Sequence, residues 1–182
     1  MAEKKNHQIT VELPSGVSAT YANEVLTVTG KAGAVSRPYK NPQISVTVNG
    51  QQVVLQATSS NQREKMHIRT LEAHIKNMIA GAQKPYSYEL KICSGHFPMT
   101  AALKGSKFEL KNFLGEQHPR SLEIKPGAKV TVSGAMITVE ATDKELAGRV
   151  ASDLEQLTRI ANRDRRIFQD GIYMTKKAGK PV

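Results

Sequence analysis

The sequence predicts an α+β protein of two similar tandem domains, each a small antiparallel β-sheet packed against one α-helix. Three observations predict it: a strand-turn-strand segment occurs twice, the apolar period changes after each copy, and a glycine-ended strand precedes each copy. An internal duplication accounts for all three.

The repeated segment is "VTVNGQQVVLQAT" (Val46 to Thr58) and "VTVSGAMITVEAT" (Val130 to Thr142), at a constant offset of 84 residues. In each copy Asn49-Gly50 or Ser133-Gly134 marks a turn between two runs whose alternate side chains can face a core, the pattern of a β-hairpin. After the first hairpin, Ile68, Leu71, Ile75 and Met78 recur at helical spacing; Asn61 with Glu64 can cap the start, and Gly81 suits the end. After the second, Leu146, Val150, Leu154 and Leu157 form the same stripe, with Thr142 and Glu145 spaced as a capping box. Upstream lie "EVLTVTGKAG" and "KFELKNFLGEQ", the strands that precede each hairpin. Gly and Pro interrupt the helical pattern at "AGAQKP" (Ala80 to Pro85), which puts the domains at 1–82 and 83–182.

Twenty-six Lys and Arg against sixteen Asp and Glu leave a formal charge of +10 on 182 residues, which points to an anionic partner. No apolar run approaches the roughly 20 residues that span a bilayer, and "MAEKKNHQITVELPSG" lacks the apolar core of a signal peptide, so a cytoplasmic protein is expected. A lone Cys93 can form neither an internal disulfide nor a thiolate metal site, and its place in the alternation "YSYELKIC" suits a small core residue.

The sequence carries no P-loop, dinucleotide fingerprint, zincin helix or nucleophile elbow. His7, His67, His74, His96 and His118 are scattered. His67 and His74 are seven apart on the first helix, but without a nearby carboxylate or thiolate they make a poor zinc site and read as solvated helix residues. No catalytic residue, metal site or cofactor is expected. An enzyme with an unusual site, or a protein recruited to anionic membrane by a basic ending, are the alternatives. The second lacks the basic amphipathic helix with bulky apolar residues that it needs.

The positive signal is local. From Arg159 to Val182 seven Lys or Arg stand against Asp164 and Asp170, so the last 24 residues carry +5 of the +10. In "NRDRRIFQDGIYMTKKAGK" the clusters Arg163, Arg165, Arg166 and Lys176, Lys177, Lys180 bracket Phe168, Ile172 and Tyr173, with Asp170-Gly171 as a turn. If the three apolar side chains pin the segment to the second domain, the cations are ordered before they meet a phosphate backbone. Charge alone fits a solvated basic tail equally well. A second surface is "SGHFPMTAALKGSK" (Ser94 to Lys107), where small residues permit close approach and Lys104 and Lys107 add charge. There His96 could bond a phosphate or fill the loop, while Phe97 and Met99 read as core. With only 5% aromatic residues, the chain suits structured RNA bound through backbone and shape better than stacking on single strands.

With repeat and tail in hand, the chain resembles the large-subunit ribosomal protein L-six family in its archaeal and eukaryotic branch. The resemblance rests on Gln156, Ile160, Arg163, Arg166, Phe168, "DGIYM" at Asp170 to Met174, and Lys177. "NMIAG" at Asn77 to Gly81, "HFPM" at His96 to Met99, and "NFLGE" at Asn112 to Glu116 followed by Arg120 agree with it. The bacterial branch's lysine-glycine-rich ending is absent, and eukaryotic members carry a longer tail, so the resemblance is to archaeal members. Departures are Gly30-Lys31, where the family reads Gly-Pro, and Pro38, which interrupts an expected strand. What the resemblance implies is a structural protein whose second domain and tail dock on large-subunit rRNA near the sarcin-ricin loop and the stalk base. Neighbouring ribosomal proteins and translational GTPases would lie close by. Residue by residue, it implies rRNA contacts at Arg163, Arg165, Arg166, Lys176, Lys177 and Lys180, then His96, Lys104, Lys107 and Arg120.

Overall fold

A computed structural model describes residues 7–58, 61–164 and 166–182. The chain divides into two compact units, Met1–Pro85 and Tyr86–Val182.

The first unit runs β1 (His7–Glu12), β2 (Ser18–Ala22), β3 (Val25–Gly30), β4 (Gly33–Pro38), β5 (Ile44–Asn49), β6 (Gln52–Ala57) and α1 (Gln62–Gln83). Its strands form two antiparallel sheets of three, β1-β6-β5 and β2-β3-β4, not the single sheet the repeat suggests. The second sheet escapes the sequence pattern because its strands are five or six residues long and β2 and β4 are mostly exposed. The β5–β6 hairpin closes over Gly50, whose φ of 58° is the left-handed geometry of a two-residue turn. Pro38 ends β4, an edge strand, where a missing N–H costs no ladder bond.

Helix α1 buries the expected Ile68, Leu71, Ile75 and Met78, and Asn61 with Glu64 forms the capping box. It does not stop at Gly81 but continues to Gln83, because its last turn is received by the β3–β4 turn: Ala32 N–H donates to the Ala82 carbonyl at 2.9 Å. Gly30 makes that approach possible, since a Cβ there would lie 2.5 Å from the Ala82 carbonyl oxygen.

The second unit runs β7 (Tyr86–Cys93), β8 (Thr100–Lys104), β9 (Lys107–Lys111), a 3-10 turn (Phe113–Gly115), β10 (Arg120–Glu123), β11 (Ala128–Ser133), β12 (Met136–Ala141), α2 (Lys144–Leu157), β13 (Gly171–Lys177) and β14 (Lys180–Pro181). One sheet, β10-β9-β8, repeats β2-β3-β4; the other is five-stranded, β11-β12-β7-β13-β14. Its first three strands repeat β5-β6-β1 down to single hydrogen bonds: Leu13 N–H donates to the Gln51 carbonyl, and Ile92 N–H to the Ala135 carbonyl, both at 2.8 Å. Strand β13, whose sequence suggests a pinned arm, pairs instead with the free side of β7, with a bulge between Met174 and Lys176.

Helix α2 is capped one residue later than expected, by Asp143, whose carboxylate accepts from Glu145 N–H at 2.9 Å. A carboxylate there also meets the positive end of the helix dipole. The buried face is Ala147, Val150, Ala151 and Leu154, while Leu146 and Leu157 pack at the margin. Cys93 is half-buried at the end of β7 rather than a core residue.

Candidate nucleic-acid interface

Helix α2 ends at Leu157, and β13 begins at Gly171. Two side chains fix this passage. Thr158, buried at the end of α2, accepts the Ile172 N–H at 2.9 Å, and Ile172 is wholly buried in the core beside α2 and β7. Asp170 is 1% exposed. Its Oδ1 accepts the backbone N–H groups of Gly95 and His96, and its Oδ2 meets His96 Nδ1 at 2.5 Å. An ionised carboxylate only accepts, so Nδ1 carries the proton. Burial pushes the Asp170 carboxyl up, but the hydrogen bonds from His96 and Gly95 outweigh it and hold it below the usual carboxylate range.

Asp170 is therefore not a turn residue but the knot that ties the tail to the β7–β8 loop. His96 stacks on Phe168 with centroids 4.7 Å apart, and the Arg163 guanidinium lies 4.8 Å from the centroid of the same ring. Phe168 thus pins the segment only by half-burial, Ile172 pins it fully, and Tyr173 points outward with 37% exposure. Phe97, expected in the core, is exposed, while Met99 packs against the core edge.

The expected cations fall into groups. In the tail, Arg166 is held by Asp164, whose carboxylate receives its Nε, its Nη2 and its backbone N–H. Arg165 lies outside the described residues. Lys176 reaches Glu89 at 3.0 Å. Lys177 and Lys180 face each other across the two-residue turn Ala178-Gly179, and among the described residues neither has an ion pair. Like charges directly opposite on paired strands repel, an arrangement that an anion laid across them relieves. On the β8–β9 hairpin, Lys104 pairs with Glu109 at 2.8 Å, and Lys107 stands opposite it in register, with no ion pair among the described residues.

Arg120 is different. It forks onto Glu116, donates to the Leu157 carbonyl at 2.7 Å and lies 4.2 Å from the Phe113 centroid. Its donors are spent inside the unit, closing the end of α2 as Ala32 closes α1. In the first unit, His74 Nδ1 receives a hydrogen bond from Arg37 at 3.1 Å. No group of three or more His, Cys, Asp or Glu among the described residues could hold a metal ion, and no helix among them is long and apolar enough to cross a membrane. Sequence reasoning missed Asp170 and Tyr173. The only signal for either was the run "DGIYM", which leads into β13, an inner strand between β7 and β14.

The arrangement is a cationic rim on a built frame, suited to a polyanion. Comparisons with known proteins give the family. The family model Ribosomal protein L6 matches residues 13–84 and 97–171. Proteins named large ribosomal subunit protein uL6 are similar over nearly the full length. That of Nanoarchaeum equitans is 42% identical, covering 94% of this chain and 94% of the relative; that of Methanobrevibacter smithii is 40% identical, covering 92% and 94%; and that of Methanocella arvoryzae is 39% identical, covering 98% and 100%.

Proposed function

This chain belongs to the ribosomal protein L6 family, and from that premise we propose that its second unit and tail dock on large-subunit rRNA near the sarcin-ricin loop and the stalk base. It is a structural component of the large ribosomal subunit and not an enzyme. On this reading it braces the RNA where translational GTPases bind, beside other large-subunit proteins at the stalk base.

The observation that carries the reading is that the cationic ending is ordered: β13 is a strand of the sheet, so Lys176, Lys177 and Lys180 are held at one sheet end. Arg163 is steadied by Phe168 and Arg166 by Asp164, with Arg165 between them in sequence. His96, Lys104 and Lys107 complete the proposed contact surface. Arg166, Lys176 and Lys104 would exchange a carboxylate for a phosphate, whereas Arg120 serves indirectly by holding the end of α2. These contacts neutralise backbone charge and position the protein; they do not read bases.

Binding of the full chain to an rRNA fragment carrying the sarcin-ricin hairpin, measured across salt concentrations, tests this. Affinity falls steeply with salt, and Arg163→Ala, Arg165→Ala and Arg166→Ala together flatten the log–log slope by about 0.9 for each phosphate that is no longer neutralised. Unchanged affinity and slope in the triple variant remove the arm from the interface.

A further inference from the structure

Beside β13 runs an open groove whose lining matches neither a core nor a simple phosphate rim. It lies between the Cys93–His96 end of β7, the turn carrying Ile167 and Gln169, and the side chains of Lys91 and Tyr173. Tyr173 also borders a second depression, shared with Gln156 and Arg159 at the end of α2, so the ring stands between the two.

The position of that ring is built. Gly171 lies two residues earlier on the same side of the strand, and a Cβ there would sit 3.3 Å from Cε2 and Cζ of Tyr173. Glycine there leaves the ring room to lie over the strand, where a Cβ would press it outward by a few tenths of an ångström. Opposite it, Ile167 is 64% exposed, a large apolar side chain left in water. Ile167 and Tyr173 together give the groove an exposed apolar face. Among the described residues no carboxylate lines the groove, and Lys91, cross-strand from Tyr173, supplies its positive charge.

An aromatic ring, an aliphatic wall, a side-chain amide and a cation with no acid together suit a flat π-faced group on an anionic tether. Paired RNA offers this surface phosphates, 2′-hydroxyls and base edges but no base face, since its bases are stacked inside; an unpaired base offers its face as well. We infer that the groove takes one unpaired nucleotide of the bound RNA, with the base against Tyr173 and Ile167, the Gln169 amide at the base edge and Lys91 at the phosphate. This rests on the RNA-binding reading above and adds a contact that the cationic rim cannot make, one that senses whether a nucleotide is free to leave the stack.

Two RNA hairpins of identical stem, one fully paired and one interrupted by a single unpaired 2-aminopurine, separate the possibilities when titrated with the full chain. The bulged hairpin binds roughly tenfold tighter, the scale of stacking one base on an aromatic ring, and its 2-aminopurine fluorescence is quenched on binding. Tyr173→Phe keeps that preference. Tyr173→Ala abolishes it and leaves the salt slope, which the Arg and Lys rim sets, unchanged. Equal affinity for both hairpins with a steep salt slope overturns the groove alone, as does a preference that survives Tyr173→Ala. Salt-independent or absent binding of both overturns the RNA reading with it.

Discussion

Residues 1–85 and 86–182 carry the same net charge, ten basic against five acidic residues in the first and sixteen against eleven in the second, yet they hold it differently. In the first unit the excess is dispersed: along α1 it is interleaved with acids, as in Arg69-Glu72-Lys76, joined at 2.9 and 2.6 Å. In the second, residues 86–158 balance nine against nine, and the whole +5 lies from Arg159 onward. The duplicated frame is electrically neutral in that copy, and the working charge is an addition to it. The addition replaces helix: α1 has 22 residues and α2 only 14, and the chain after α2 turns down to lay β13 against the side of β7 whose counterpart, on β1, has no strand among the described residues. On the proposed reading, repeated elements supply a scaffold, and departure from the repeat supplies most of the interface.

Breaking the added strand tests this most severely. Ile172→Ala removes a fully buried side chain from the junction of β13 with the core and costs about 2–5 kcal/mol. Hydrogen exchange in β7 rises sharply, exchange in α1 stays as it was, and salt-dependent RNA binding weakens with the former. Equal disturbance of both units would mean that the tail supports more than its own domain.

A smaller break belongs to the first unit. Gly30→Ala drives a methyl group into the Ala82 carbonyl and costs about 1–3 kcal/mol of overpacking. The β3–β4 turn and the end of α1 loosen, measured by denaturant unfolding and exchange, while RNA affinity holds. Loss of RNA affinity in this variant would make the first unit part of the interface.

The smallest effect sharpens the comparison within the second unit. Asp170→Asn keeps the shape of the knot but removes its charge, costing about 1–2 kcal/mol at neutral pH. Because the folded carboxyl titrates below its unfolded value near 3.9, its stabilisation is present above that pH and fades as acid takes the protein down through the folded value. The wild type therefore loses stability over that acid range more steeply than Asp170→Asn does. Parallel acid limbs would show that the carboxylate contributes nothing as an anion.

Much of the frame was legible because it is local. Gly50 and Gly134 announce their hairpins within a few residues, and Ile68, Leu71, Ile75 and Met78 mark a helix by spacing alone. The site was legible as charge but not as construction. Asp170 binds the loop at Gly95, 75 residues away, and neither residue carries a sign of the other. Tyr173 looked like an anchor because "GIYM" reads as apolar; only the pleat of β13, which sends Ile172 inward, turns its neighbour out to water. Of the second sheet in each unit only the central strands β3 and β9 were legible, since the short, half-exposed strands beside them leave almost no period to detect.

The pairing of β13 with β7 also orders events in time. Thr175 bonds the Glu89 carbonyl across 86 residues, so β7 leaves the ribosome that makes it long before its partner strand exists. Until then the side of β7 is an open edge, and the cations that would meet RNA have no frame. On the proposed reading, completion of the sheet and acquisition of the binding face are one step. A truncated chain, on the same reading, would lack the strand that frames its rRNA contacts and leave β7 open to aggregation, so that incorporation would check that synthesis ran through to the tail.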